Sequence, residues 1–280
     1  MNKTIALVLM LIIPVTHLVL GQQLNIMTYN IRYDNPSEAP NNWENRKDRI
    51  VTQINTYAPG ILGIQEGLQN QVDYLEKELE GYRYFGVGRE DGMAGGEYTA
   101  IFYDPTKIRL LDKATFWLSQ TPQQPSVGWD AALKRICTYG LFQYVSSKSK
   151  FFVFNTHFDH IGEKARLESA KLILSKAKAI NSEKFPWILI GDFNLEPNSK
   201  AIQLILESLS DAHSAAGNNA TGPQGTFNGF DDQQPVTRRI DYIFFDASQL
   251  RVLKSTIIND RKDGRYPSDH FPVYAELFLK

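Results

Sequence analysis

A single cysteine, Cys137, stands in 280 residues, so no internal disulfide can brace the chain and a packed core must hold it. Cys137 lies in Arg135-Ile136-Cys137-Thr138-Tyr139. Its β-branched and aromatic neighbours predict a strand, with the thiol acting there as a small buried hydrophobe. An excess of either charge is missing too: 30 Lys and Arg against 31 Asp and Glu leave a net charge of -1. Broad electrostatic attraction to nucleic acid or anionic membrane is therefore excluded as an organising feature, although a locally positive cleft is not. Internal repeats, low-complexity tracts and a Pro/Ser-rich linker are also lacking, which predicts one domain over residues 22–280.

The one long apolar run is at the start. Lys3 precedes Ile5 to Leu20, after which Gly21-Gln22-Gln23 turns polar. This is the order of a signal peptide, expected over residues 1–21 with cleavage after Gly21 and export to a periplasm or beyond. An uncleaved anchor is the alternative, but Pro14, Thr16 and His17 make the run a poor membrane span. No stable span is expected once the leader is removed.

Beyond it, apolar runs alternate with amphipathic segments. Strands are predicted at Leu24 to Ile31, Ile61 to Gln65, Tyr82 to Val87, Thr99 to Tyr103, Ile108 to Leu118, Phe151 to His157, Trp187 to Gly191, Ile240 to Phe245, Val252 to Ile258 and Val273 to Leu279. Helices are predicted at Trp43 to Tyr57, Gln71 to Leu79, Lys164 to Ile180 and Ala201 to Leu209, and a long loop at Gly217 to Gly229. The order suggests two sheets packed face to face with helices outside, a pattern that an open α/β sheet would share.

Chemistry-bearing residues collect at the ends of these strands. Asn30 ends the first, Glu66 follows the second, His157 closes Phe151 to Thr156, and Asp192 and Asn194 follow Trp187 to Gly191. Asp241 lies in Arg239-Ile240-Asp241-Tyr242, and Asp269 and His270 stand just before the last strand. A carboxylate at a sheet edge is a good ligand for a hard cation, and an imidazole there can move a proton. Phosphate-ester hydrolysis needs an activated water, neutralised phosphoryl oxygens and a proton or cation for the departing oxygen. Two imidazoles and carboxylate-bound Mg2+ meet those needs. Asp241 and Glu97 are candidate hydrogen-bond partners that fix the two imidazoles. Arg135 offers a fork to phosphate, against the simpler reading of a surface salt bridge.

Thr28-Tyr29-Asn30-Ile31, Gln65-Glu66, Asn155-Thr156-His157, Gly191-Asp192-Phe193-Asn194, Arg239-Ile240-Asp241-Tyr242 and Ser268-Asp269-His270 form an ordered set. In it the chain resembles the endonuclease/exonuclease/phosphatase superfamily, over Asn30 to Pro272. The resemblance implies a four-layered DNase I-like α/β sandwich, two mixed β-sheets packed face to face with helices outside. It implies metal binding by Glu66 with Asn30 and Asp269, Mg2+ being the expected ion and Mn2+ a substitute. It further implies a His157–His270 pair spanning the attacking and leaving oxygens, Asp192 and Asn194 positioning water and phosphate, Asp241 holding His270, Glu97 partnering His157, and Arg135 contacting phosphate. Gly128-Trp129-Asp130-Ala131 and Gly225-Thr226-Phe227-Asn228-Gly229-Phe230 are similar to segments of exported bacterial hydrolases of this superfamily. The expected activity is hydrolysis of phosphodiesters, in nucleic acid or a nucleotide-derived ester, by in-line water attack. A phosphomonoesterase or sphingomyelinase-like enzyme is one alternative, and a non-catalytic binding module on the same fold is another.

Overall fold

A computed structural model describes residues 22–280, so the expected signal peptide lies outside the described residues. In chain order the elements are β1 (Gln23–Asn30), α1 (Trp43–Tyr57), β2 (Ile61–Gln65), α2 (Gln69–Glu78), β3 (Arg83–Phe85), β4 (Ile101–Tyr103), β5 (Ile108–Trp117), β6 (Ile136–Tyr144) and β7 (Lys150–His157). There follow α3 (Glu163–Ile180), β8 (Trp187–Asp192), α4 (Lys200–Leu206), β9 (Ser210–Asp211), α5 (Ala212–Ala215), β10 (Ala220–Thr221), β11 (Asp241–Phe245), β12 (Leu250–Ile257) and β13 (Val273–Leu279). They form a seven-stranded sheet, β10-β12-β13-β1-β2-β4-β3, and a six-stranded one, β5-β6-β7-β8-β11-β9.

The layering follows from strands that are apolar on both faces. Ile26, Ile61, Val153, Ile188, Ile190 and Ile243 fill the space between the sheets. Their sequence neighbours point outward: Met27 and Leu62 pack under α1 and α2 with Ile50, Ile54, Val72 and Leu75, while Phe152, Leu189 and Phe244 pack under α3 and α4 with Ile173, Ile202 and Ile205. The result is the expected four-layered sandwich of two mixed sheets with helices outside, and the open-sheet alternative is excluded. Cys137 is buried in the layer under α3.

Several boundaries differ from the sequence reading. Helix α2 begins at Gln69 rather than Gln71, because the Gln71 side chain turns back to accept from Leu68 N at 3.1 Å and so marks the helix's third position. Helix α4 ends at Leu206, after which Glu207 N and Ser208 N bond three residues back, to Leu204 O and Ile205 O, in a tighter turn. The loop after Gly217 contains a 3-10 turn and β10, which pairs parallel with β12.

Asn155 of β7 bolts the two sheets together. Its Nδ2 donates to Ile64 O and Ala100 O, each at 2.9 Å, and its Oδ1 accepts from Gln65 Nε2 at 2.6 Å, all fully buried. Gly63 allows this approach, since a Cβ there would stand 2.8 Å from the Asn155 side chain. Asn155→Leu would remove three buried hydrogen bonds, although Ala100 O keeps Ile64 N and Gln65 Nε2 keeps Thr28 Oγ1, and is expected to cost about 1–3 kcal/mol in urea unfolding, chiefly for Ile64 O.

Candidate functional site

Register explains why the strand-end residues meet. β1 and β2 run parallel with Asn30 opposite Gln65, and β7 and β8 run parallel with His157 opposite Asp192. β11 is antiparallel to β8 with Asp241 opposite Asp192, and β13 is antiparallel to β1, so the turn before it delivers Asp269 and His270 to the same edge. Glu66, Asn194 and Arg32 each adopt a left-handed backbone, with φ of 65°, 51° and 56°. Non-glycine residues take this conformation at some cost, and it swings all three side chains toward a cleft of ≈ 1000 Å³.

Asp192 stands at the centre. Its Oδ2 accepts from Asn30 Nδ2 at 2.9 Å and lies 3.5 Å from His157 Nε2 and 3.8 Å from His270 Nε2, while its Oδ1 accepts from Asn194 N at 2.9 Å. Burial and the charge of Asp241 push its carboxyl up to about 7, against the opposite pull of His270.

The two imidazoles sit in opposite fields. Burial disfavours charge on both. His157 also faces the Arg135 and Arg89 guanidinium groups and is held well below the ordinary histidine value. Its Nε2 lies 3.1 Å from Asn194 Nδ2, an amide donor, which fits a neutral ring accepting at that nitrogen. For His270 the charges of Asp241 and Asp192 outweigh burial and hold it well above that value, with Nδ1 2.9 Å from Asp241 Oδ2. One neutral and one protonated imidazole therefore flank Asp192, an arrangement suited to acid–base work.

Glu97 lies 3.9 Å from His157 Nδ1, beyond hydrogen-bond reach, and is hydrogen-bonded to Arg89 Nη1 instead. Burial, then the charge of Glu66, push it up to about 7 against Arg89 and Arg135. Arg135 is no surface salt bridge: it is 4% exposed, its Nε is 3.4 Å from Asp159 Oδ1 and its Nη2 3.0 Å from His160 Nδ1. Its Nη1 is buried without a hydrogen-bond partner in a residue that lines the cleft.

Donors for a cation are present. Ligand atoms of Glu66, His157 and Asp192 lie within 4.8 Å of one another, as do those of Asp192, Asp241 and His270. Asp241 Oδ1 is buried without a partner, and Asp192 is raised by burial and by the charge of Asp241, so the carboxylate set fits a hard divalent ion. Burial opposes ionisation of Glu66, but the charge of His270, the Asn30 amide, Arg32 and the Tyr33 N–H keep it below the usual range. Asn30 turns its nitrogen to Glu66 Oε1 at 3.0 Å and gives its oxygen to Arg32 N at 3.0 Å. Asp269 faces Arg32 Nε at 3.7 Å.

The sequence reading did not single out Arg32, Arg89, Asp159 or Arg238. Arg32 had a signal, a charge two residues past the strand-end Asn30; the others sit on loops with no periodicity to reveal them. Phe227 is a wall of the site, its ring 5.1 Å from that of His270 with Arg238 stacked on the ring at 5.2 Å. Among the described residues no helix is long and apolar enough to cross a membrane.

Comparison with known proteins agrees with this geometry. The model of the Endonuclease/Exonuclease/phosphatase family matches residues 27–270. A mannosyl-6-phosphatase of Bacteroides thetaiotaomicron is 37% identical with a TM-score of 0.85, covering 91% of this chain and 99% of its own. Another Bacteroides thetaiotaomicron protein of the same family is 36% identical with a TM-score of 0.88, covering 93% and 99%. Human nocturnin is 22% identical over 94% of this chain and 66% of its own length. A mimivirus protein is 35% identical over 55% of this chain and 60% of its own, so the chain spans about two thirds or less of these curated relatives.

Proposed function

Since the chain belongs to the endonuclease/exonuclease/phosphatase family, we propose that it is a hydrolase of phosphate esters whose substrate is a small phosphomonoester, such as a sugar phosphate, cleaved by in-line attack of water. The observation that carries this reading is the Arg135 guanidinium, which lines the cleft with His157 and keeps a buried Nη1 without a hydrogen-bond partner. A terminal phosphoryl group bears one more charged oxygen than a diester, and a buried unpaired guanidinium N–H is a donor for it. The deep position of the reacting groups, with Asp192 1%, His270 5% and His157 6% exposed, suits a chain-end phosphoryl group better than one inside a polymer. The similarity to a mannosyl-6-phosphatase supports the same choice over the diester expected from sequence.

In this mechanism Asp192 takes a proton from the water, whose oxygen forms the new bond to phosphorus. Asn194 and His157 hold the water and the phosphoryl group in line. His270, kept protonated by Asp241, gives its proton to the ester oxygen as that bond breaks, and Arg135 neutralises a non-bridging oxygen. A divalent cation, Mg2+ with Mn2+ as substitute, would be held by Glu66 with Asp192 in reach, and supplies charge neutralisation at the phosphoryl oxygens when bound.

Arg135→Met is expected to raise KM for a phosphomonoester and to weaken inhibition by inorganic phosphate about 10- to 100-fold, with a smaller fall in kcat. The reading is tested by hydrolysis of hexose 6-phosphates and a chromogenic monoester against the matching diester, with Mg2+ or Mn2+. Preference for monoesters is expected, and a diester preference would return the substrate to nucleic-acid or lipid diesters. The polar break after Leu20 supports export, for which mass spectrometry of the secreted protein should find an N-terminus at Gln22.

A further inference from the structure

The Arg32 guanidinium stands beside carboxylates that would face the proposed cation. Its Nη1 is 3.6 Å from Glu66 Oε2 and its Nε 3.7 Å from Asp269 Oδ2. Its short contacts go elsewhere: Nε donates to Glu38 Oε2 at 3.2 Å and Nη2 bonds the other Glu38 oxygen. Glu38 is itself held by Asn35 Nδ2 at 3.1 Å. One guanidinium therefore serves three carboxylates, anchored on Glu38 and leaning on the other two.

The backbone beneath it is fixed. Buried Arg46 donates to the carbonyls of Ile31, Arg32 and Tyr33, Gln71 Nε2 donates to Arg32 O at 2.9 Å, and Tyr33 N donates to Glu66 Oε2 at 3.1 Å. The Arg32 side chain above it is 24% exposed and carries its charge within reach of Glu66.

We propose that Arg32 is a built-in counter-ion of the metal site, leaning on Glu66 and Asp269 without the cation and held off them by its anchor on Glu38 as the cation binds, so that the Arg32–Glu38 pair sets metal affinity. A unit charge this near a divalent ion opposes its binding, since like charges a few ångströms apart repel even in a polar protein medium. Glu38 limits that opposition by taking up the guanidinium. The inference rests on the metal-dependent reading above and predicts effects of opposite sign from two neighbouring residues.

Calorimetric titration with Mn2+ and with Mg2+ tests it on the full mature chain. Arg32→Met is expected to bind Mn2+ about tenfold more tightly, and Glu38→Gln to bind it about three- to tenfold more weakly, because the unanchored Arg32 then falls fully onto Glu66 and Asp269. The metal-induced rise in Tm should follow the same order, and melts without metal show that each variant is folded. Unchanged or weaker Mn2+ binding by folded Arg32→Met would overturn the proposal. Absence of Mn2+ binding by the wild-type chain, or binding that survives Glu66→Gln undiminished, would instead overturn the metal reading on which it rests.

Discussion

Asp192→Asn is expected to lower kcat on the best phosphate ester by about three to four orders of magnitude, the range for loss of a positioned proton acceptor. Steady-state kinetics would measure it, with KM changing far less. The substitution keeps the side chain's shape and one oxygen to accept from Asn194 N, now 2.9 Å from Asp192 Oδ1. It removes the carboxylate on which both imidazoles and Asn30 converge.

Stability should not follow activity. Asp192 is raised to about 7 by burial and by its neighbour Asp241, so the folded state carries an electrostatic cost at this position. The amide relieves it and gives up the hydrogen bond from Asn30 in exchange. These terms oppose each other, and Asp192→Asn is expected to unfold in urea within about 1–2 kcal/mol of wild type. A loss of activity explained by unfolding would contradict this account of the site.

Much of this site could be read from the chain because a strand end is a local event. Glu66 after Ile61 to Gln65, His157 after Phe151 to Thr156 and Asp192 after Trp187 to Gly191 each follow an apolar run, and each lies on the cleft. The two-layer core was also legible, because strands buried on both faces are continuously apolar, as in Trp187 to Ile190. Sequence could not tell that β1–β2 and β7–β8 are parallel while β11 and β13 run against them, and that choice brings four strand ends to one edge. Nor could it tell which cation meets which carboxylate. Glu97 was expected on His157 but is taken by Arg89, and Arg135 was weighed as a surface pair but is buried on Asp159. Such pairings join loops whose approach depends on the whole fold, and no periodicity encodes them.

Glu66→Gln, compared with chelation of the wild-type enzyme, is the second test with a large expected effect. EDTA should abolish hydrolysis and Mg2+ or Mn2+ should restore it, and Glu66→Gln should lose about three orders of magnitude at ordinary metal concentration, the several kcal/mol that a bound cation supplies to a phosphoryl transition state. Glutamine keeps an oxygen for Asn30 or Tyr33 N and removes only the charge. The loss should therefore shrink as Mn2+ is raised, since weakened binding yields to mass action. Asp192→Asn should show no such recovery, because added cation does not replace a proton acceptor. Equal rescue of both variants would make Asp192 a cation ligand and transfer the proton to neutral His157, whose Nε2 lies 3.5 Å from the same carboxylate.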